Sequence, residues 1–142
     1  MNVHDLGGRK AVVTGGAGGI GLACAARLAR DGAEVELWDL GGDALAAARA
    51  SIGGASAQEV DVTDGAAVDA AMARARPHCV VHCAGILGPV LPATELGAAD
   101  FRRLVEVNLT GSFLVARAAA AGMLRLPRPG RAGRIVLMGS IQ

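Results

Sequence analysis

The chain has 142 residues, a length that fits one domain with a core of moderate size. It is 52% hydrophobic and 2% aromatic, contains no Tyr, and carries a formal net charge of +1. This charge gives no strong field for nucleic acid or an anionic membrane, and neither a secretory signal nor an apolar run of about 18 residues is evident. We therefore expect a cytoplasmic protein that binds neither nucleic acid nor a membrane.

The cysteines argue against a metal site. Cys24, Cys79 and Cys83 are odd in number and lack the paired spacing of zinc ligands. If residues 79–82 form a strand, residues four apart lie roughly 13 Å from each other, too far to share one metal ion. We expect reduced thiols and no bound metal.

Short apolar runs alternate with helical patterns along the chain. The apolar runs predict five strands, at 11–13, 35–38, 57–60, 79–82 and 134–138. The helical patterns lie between them, at 20–32, 43–52, 63–75 and 98–123, and a basic turn follows at 126–133. This alternation predicts one α/β domain over residues 1–142, a Rossmann-type doubly wound parallel sheet in the order 3-2-1-4-5.

The helices carry more detailed predictions. In the first helix, the spacing places Ile20, Cys24 and Leu28 on one face. Thr63 is the predicted N-cap of the third helix. The buried face of that helix follows from apolar residues at helical spacing: Val68, Ala71, Met72 and Ala75.

Residues 14–21 read TGGAGGIG and lie between the first strand and the first helix. A G-x-G-x-x-G pattern occurs here as Gly16, Gly18 and Gly21, where backbone N–H groups and the positive end of a helix can bind a phosphate pair. An acidic residue about 20 positions further on is expected to accept hydrogen bonds from a ribose, and Asp39 ends the second strand near that distance. The alternative interpretation is a glycine-rich turn beside a surface aspartate.

Asp39 also bears on the choice of cofactor. Its carboxylate can accept a hydrogen bond from a free 2′-hydroxyl but repels a 2′-phosphate. No Arg or Lys lies within the glycine stretch to compensate. The sequence therefore favours NAD over NADP.

Read from Thr14, the glycine stretch is T-G-x-x-x-G-x-G, and four further motifs follow it in chain order. These motifs are DV at 61–62, HCAG at 82–85, VNLTG at 107–111 and GRIVLMGS at 133–140. Together they resemble the short-chain dehydrogenase/reductase family, and they cover nearly the whole chain. The family's strand end is N-N-A-G, so His82 and Cys83 stand where it has asparagines.

The resemblance implies a role for each matched residue. The implied cofactor-binding residues are Thr14, Gly15, Gly19, Ile20 and Gly21 at the pyrophosphate, Asp39 at the adenosine ribose, Asp61 and Val62 at adenine, and Ala84 and Gly85 toward the nicotinamide ribose. Ser140 would hydrogen-bond a substrate carbonyl or alcohol, and the backbone at Asn108 would anchor a proton-relay water. The implied substrate is a small-molecule secondary alcohol or ketone, and family members usually form homo-oligomers through the helix that holds Asn108.

Some of these residues have a plainer interpretation. Asn108 lies four residues after Leu104 on the apolar face of its helix, where a buried asparagine needs a hydrogen-bond partner and nothing more. Ser140 alone is an ordinary strand-end residue. His82 is more simply a buried strand histidine, at some cost in local hydrogen bonding.

The reaction also needs a proton donor or acceptor that this sequence lacks. Hydride transfer at a carbon requires a matched proton transfer at the oxygen, and the resemblance implies a Tyr in a Y-x-x-x-K motif beyond the serine. The chain has no Tyr, and its lysine, Lys10, precedes the first strand. We therefore expect an N-terminal portion of an oxidoreductase, truncated after the fifth strand, that has no turnover by itself.

Two further expectations follow. The fifth strand would be an exposed edge at which Val136 and Met138 lose cover, so the chain made alone should be poorly soluble. The alternative function is a catalytically inactive dinucleotide-binding or interaction module. A methyltransferase would also have a glycine-rich turn and an acid after the second strand, but that class does not explain Gly85, Asn108 and Ser140 together.

Overall fold

The computed structural model describes residues 5–126 and 133–140, so most of the basic turn predicted at 126–133 lies outside the described residues. The described residues contain a five-stranded sheet in which every neighbouring pair is parallel. Its strands are β1 (Lys10–Thr14), β2 (Glu34–Asp39), β3 (Ser56–Glu59), β4 (Cys79–His82) and β5 (Arg134–Leu137). Their order is β3-β2-β1-β4-β5, which confirms the predicted Rossmann-type topology.

Helices connect the strands. They are α1 (Gly19–Arg30), α2 (Gly42–Ser51), α3 (Gly65–Ala75), α4 (Ala98–Val105) and α5 (Gly111–Met123). A π-helical segment, Glu106–Thr110, joins α4 to α5. The sequence predicted one regular helix over 98–123, and its helical periodicity gave no sign of this π turn. Such turns are rare and often lie at functional sites.

Both faces of the sheet are buried, as is usual for parallel strands. Alternate strand residues pack on opposite faces. One layer contains Val12, Trp38 and Val80 with Val68, Met72 and Val115 of α3 and α5. The other contains Val13, Leu37 and Val81 with Ala25 and Leu45 of α1 and α2. The predicted buried face of α3 is confirmed at all four positions.

The predicted N-cap of α3 is wrong by one residue. Asp64 is the cap, and its Oδ1 accepts hydrogen bonds from the N–H groups of Ala66 and Ala67, each at 3.0 Å. The Thr63 hydroxyl instead donates to Asp61 Oδ1 at 2.7 Å. Because Thr63 is engaged with Asp61, the neighbouring carboxylate caps the helix.

The predicted face of α1 is also only partly right. Ile20 is 61% exposed, whereas Gly21 and Ala25 are buried. Cys24 and Leu28 are half-buried and pack against the core layer. Ile20 differs because it lies in the first turn, at the open carboxyl edge of the sheet.

The helical stretch Ala98–Met123 is long and apolar enough to cross a membrane, with a hydropathy of 1.2. The sequence contains no uninterrupted apolar run of that length, because Arg102, Arg103, Glu106 and Arg117 lie within this stretch, but its mean hydropathy reaches the level of a membrane span, which the sequence analysis did not anticipate. In the fold, however, Val115 and Ala119 of this stretch are buried in the core. Arg117 Nη2 also donates to both carboxylate oxygens of Asp69 on α3, at 3.1 and 2.9 Å. These contacts make the stretch a layer of the α/β domain.

Strand β5 forms an edge of the sheet and pairs with β4. Val136, Leu137 and Met138 are 45%, 51% and 43% exposed. The expected exposure of Val136 and Met138 is thus observed in the described residues. An edge strand of this kind presents backbone groups to which another strand can pair.

Candidate functional site

A pocket of about 430 Å³ opens at the carboxyl ends of β1, β2 and β4. The strand order reverses at β1, because β2 and β3 lie on one side of it and β4 and β5 on the other, and doubly wound sheets bind ligands at the crevice beside this point. Most of the predicted cofactor-binding residues line it: Gly15, Gly19, Ile20, Gly21, Asp39, Asp61, Val62, Ala84 and Gly85.

The glycine loop between β1 and α1 packs too closely for side chains. Gly15 has a φ of +64°, and a Cβ there would lie 2.8 Å from both the Ala84 nitrogen and the Cys83 carbonyl carbon. A Cβ on Gly21 would overlap the Gly15 carbonyl oxygen. At Gly18, by contrast, φ is −171° and a Cβ would meet nothing within 4 Å. The structure therefore requires Gly15 and Gly21, whereas Gly18 of the shorter G-x-G-x-x-G pattern is not required.

Helix α1 begins beside this loop, and its first turn has no side-chain cap. The first N–H groups of a helix have no partner within it, and the helix dipole adds partial positive charge at this end. Gly19, Ile20 and Gly21 of this turn line the pocket. The arrangement is a backbone cradle suited to a pyrophosphate, with no side chain in the way.

Asp39 anchors the glycine loop to the end of β2. Its Oδ2 accepts a hydrogen bond from Ala17 N and its Oδ1 accepts one from Leu40 N, both at 2.9 Å. Each carboxylate oxygen has a second lone pair, so Asp39 can also accept from a ligand hydroxyl. The sequence predicted the ribose contact and did not predict this anchoring, which depends on the folded loop.

Asp61 is a second carboxylate at the pocket, beside the apolar Val60 and Val62. Its Oδ1 accepts hydrogen bonds from Thr63 N at 2.9 Å and from Thr63 Oγ1 at 2.7 Å. These two bonds lower the pKa of Asp61 below its usual value, and the positive charge of Arg103 lowers it further. Asp61 is therefore an ionised hydrogen-bond acceptor.

Thr14 and His82 form a buried pair beneath the pocket. Their Oγ1 and Nδ1 atoms are 2.7 Å apart, and Ala84 N donates to Thr14 Oγ1 at 3.2 Å. Burial lowers the pKa of His82, so the ring is neutral. The direction of the Thr14–His82 hydrogen bond depends on the ring tautomer, because the hydroxyl can donate to Nδ1 or accept from it, and Nε2 has no partner among the described residues.

This pair bears on two predictions. His82 is a buried strand histidine, as expected, with 1% of its surface exposed. The unpartnered Nε2 agrees with the expected cost in hydrogen bonding. Thr14 is fully buried and does not line the pocket. It holds the backbone of Ala84, which does.

Asn108 lies in the π turn and holds the loop after β4. Its Oδ1 accepts from Ile86 N at 2.8 Å, and its Nδ2 donates to Ile86 O at 2.9 Å. The Ser112 hydroxyl donates to the Asn108 carbonyl oxygen at 2.6 Å. The side chain is exposed, contrary to the predicted apolar face, because a π turn holds an extra residue and changes which side chains face the core. Val107 is buried in its place.

Ser140 does not line the pocket. It follows the end of β5 and is exposed. The structure therefore brings Asn108 next to the pocket wall through Ile86 but does not bring Ser140 into the pocket.

The sequence interpretation missed several lining residues, namely Trp38, Leu40, Val60, Cys83, Ile86, Arg103 and Val107. Val107 belongs to the quoted VNLTG motif, which could have identified it, whereas the helical periodicity gives no signal for Arg103 because a π turn follows it. At Cys83, burial raises the pKa of the thiol to about 11, and the Cys24 thiol hydrogen-bonds to it. Within residues 5–126 and 133–140, no group of three or more His, Cys, Asp or Glu could hold a metal ion.

Comparison with known proteins identifies relatives along the whole described fold. The family model for short chain dehydrogenase matches residues 9–142. The 2-dehydro-3-deoxy-L-rhamnonate dehydrogenase (NAD(+)) of Sphingomonas sp. is 40% identical over 139 residues, covering 94% of this chain and 54% of that protein. Galactitol 2-dehydrogenase of Rhizobium johnstonii is 37% identical over 144 residues, covering 96% of this chain and 54% of that protein.

Solved structures agree. A short-chain type dehydrogenase/reductase from Mycobacterium ulcerans matches with a TM-score of 0.86 and 32% identity, covering 95% of this chain and 52% of that one. The chain thus spans about half the length of each of these relatives. Because the family match includes almost every residue of the chain, the protein belongs to the short chain dehydrogenase family.

Proposed function

We propose that the whole protein is an NAD-dependent oxidoreductase that interconverts a secondary alcohol and a ketone. The observation that carries this proposal is the pairing of the glycine cradle at the start of α1 with the Asp39 carboxylate in one pocket. The cradle fits a pyrophosphate, because the close backbone packing at Gly15 and Gly21 sets the start of α1 against the pocket, with its first N–H groups uncapped by any side chain. When bound, NAD would accept a hydride from the alcohol or supply one to the ketone.

Each wall of the pocket is proposed to hold one part of the cofactor. The N–H groups of Gly19, Ile20 and Gly21 would bind the pyrophosphate, and Asp39 would accept from the adenosine ribose. Asp61 and Val62 are proposed at adenine, supported by the ionised acceptor beside an apolar wall. Ala84 and Gly85 are proposed to lie along the path to the nicotinamide ribose.

The preference for NAD over NADP rests on Asp39. A 2′-phosphate beside this carboxylate would place two like charges together in a partly buried site. One relative carries NAD(+) in its name, which supports the same preference.

We propose separate catalytic roles for Ser140 and Asn108. Ser140 would hydrogen-bond the substrate oxygen, and the Asn108 backbone would anchor a relay water. The 142 residues contain no Tyr, so we propose that this chain by itself binds the cofactor without turnover. The competing proposal, an inactive nucleotide-binding or interaction module, predicts the same binding and no turnover by the whole gene product.

The test uses the protein as its gene encodes it, read to the stop codon. Calorimetric titration should show NAD binding at least about tenfold tighter than NADP. Asp39→Ala should weaken NAD binding and reduce the difference in affinity between NAD and NADP. Asp43 is an exposed carboxylate outside the pocket, so Asp43→Ala should change neither the NAD affinity nor that difference. Relatives named for galactitol and for a deoxy sugar acid support polyols and sugar acids as first substrates for an NADH assay.

Three results would decide between the proposals. Failure of the wild-type protein to bind NAD would reject both the enzyme and the nucleotide-binding module. Binding without NADH formation from any secondary alcohol or ketone in the panel would favour the inactive module. Equal affinities for NAD and NADP, unchanged by Asp39→Ala, would reject the assigned role of that carboxylate.

We also propose that the whole protein self-associates through the helical stretch at 98–123. Phe101, Leu109 and Phe113 on this stretch are 58%, 66% and 59% exposed. Large exposed apolar groups on one helix support an interface with a second copy. Phe113→Asp should lower the mass measured by light scattering, whereas Val90→Asp, in an exposed loop, should not. An unchanged mass for Phe113→Asp would contradict the proposal.

A further inference from the structure

One end of the pocket combines apolar walls with two opposite charges. Val60, Val62 and Val107 line this end together with Asp61 and Arg103. Pockets for planar ligands are commonly apolar with a few placed polar groups. Asp61 already accepts two hydrogen bonds from Thr63. The hydrogen-bond donors of the Arg103 guanidinium are not used in this way.

Arg103 forms no hydrogen bond or ion pair within residues 5–126 and 133–140, although its side chain lines the pocket. Its charge acts on Asp61 from a distance and helps to lower the pKa of that carboxyl. Arg103 lies one helical turn before Val107, so both side chains project from the same side of the stretch. The cation is therefore directed to the pocket while its five N–H donors stay available to a ligand.

We propose that Arg103 binds the adenine base of the dinucleotide, with its planar guanidinium laid against the ring. This inference rests on the proposed function, and it adds a contact that none of the sequence motifs assigns. A guanidinium is planar, weakly hydrated and attracted to the face of an aromatic ring. Together with the apolar valines it would enclose the base, while Asp61 accepts from the edge of the ring.

A simpler role for Arg103 makes a different prediction. If its charge only offsets Asp61 or attracts any anion, a lysine would serve as well, because its ammonium carries the same charge. That role would also affect ligands that lack adenine. The contact with adenine requires the planar guanidinium and affects only those ligands that contain adenine.

The experiment compares two fragments of the cofactor on the whole gene product. ADP-ribose carries adenine, and nicotinamide mononucleotide does not; the affinity of each is measured by calorimetry or by competition against NAD. The variants are Arg103→Met, which keeps an unbranched apolar stem without the guanidinium, Arg103→Lys, which keeps the charge, and Arg102→Met as the matched control. Arg102 is adjacent, exposed and outside the pocket. Thermal unfolding verifies that each variant folds.

We expect Arg103→Met to weaken ADP-ribose binding by about 2- to 5-fold, the range of an exposed cation–ring contact. Arg103→Lys should weaken it as well, while nicotinamide mononucleotide and Arg102→Met should behave as the wild type. The proposal is overturned if Arg103→Met binds ADP-ribose normally, if lysine restores full affinity, or if both ligands weaken equally. No binding of ADP-ribose by the wild type would reject the proposed function and this contact with it.

Discussion

The pocket and the β5 edge belong to one sheet but differ in how far the chain surrounds them. Beneath the pocket, Thr14 is fully buried and His82 is 1% exposed, with a hydrogen bond between them. At the edge, Val136 and Leu137 are 45% and 51% exposed. Both regions have strand sequences rich in apolar residues. The difference teaches that residues 5–126 supply their own cover for the pocket, whereas β5 receives little cover from the described residues.

The largest expected effect concerns the close packing of the glycine loop. Gly21→Ala should destabilise the protein by about 1–3 kcal/mol, because its methyl group would overlap the Gly15 carbonyl oxygen. Gly18→Ala is the matched control, since a Cβ there meets nothing within 4 Å. Urea unfolding of both variants measures the difference. Equal stabilities would show that the loop is not packed as described.

Acid should lower the stability of the folded protein through the protonation of His82. Burial lowers the pKa of His82 in the folded protein below 6.5, so the unfolded chain takes up a proton that the folded state resists. The contribution of His82 to the free energy of unfolding is therefore fully present above about pH 6.5. It is lost as the pH decreases toward the pKa of His82 in the folded protein, by about 1.4 kcal/mol per pH unit. Urea titrations between about pH 7.5 and 5 measure this slope.

His82→Gln isolates that titration. Glutamine keeps polar atoms near Thr14 but takes up no proton, so the slope over this range should flatten. The lowered pKa of Asp61 acts only below its usual value of 3.8, outside the range. If the variant and the wild type share one slope, another group is responsible.

Loss of the two hydrogen bonds between the Asn108 side chain and the Ile86 backbone, which we call the Asn108 clamp, should have a smaller effect on stability. Asn108→Ala removes two hydrogen bonds, at 2.8 and 2.9 Å, and should cost about 1–2 kcal/mol. Hydrogen exchange of the Ile86 amide should accelerate at the same time. Ser112→Ala removes a bond to the Asn108 carbonyl without touching Ile86, so the Ile86 amide should stay protected. Equal acceleration in both variants would contradict the clamp.

At the β5 edge we expect a change in solubility with almost none in stability. Val136→Lys should reduce aggregation of the 142-residue chain while changing the unfolding free energy by less than about 0.5 kcal/mol. Val90→Lys adds the same charge at a loop residue that is 86% exposed. Light scattering compares the two. If Val90→Lys is as effective, net charge and not the edge controls aggregation.

The sequence predicted the strands and their order because apolar runs and the alternation with helices are local patterns. The glycine loop and Asp39 were predictable for a similar reason, since their spacing belongs to a known motif. The N-cap was wrong because Thr63 and Asp64 compete for partners, and the outcome depends on Asp61. The π turn and the orientation of Arg103 depend on tertiary packing, which the helical periodicity of 98–123 does not encode.

The two hydrogen bonds of Asp39 have a consequence for changing the cofactor. The carboxylate that we propose would repel a 2′-phosphate also fastens the glycine loop through Ala17 N. Selection or design for NADP therefore meets a trade-off, because a substitution that removes the acceptor oxygens together with the charge also releases the loop. Asparagine at this position would keep an acceptor for Ala17 without the charge. Variants that gain affinity for NADP from a cation placed at another residue, and that retain Asp39, should keep an ordered loop. We therefore expect cofactor preference to change first through substitutions of residues around Asp39 and only later through substitution of Asp39 itself.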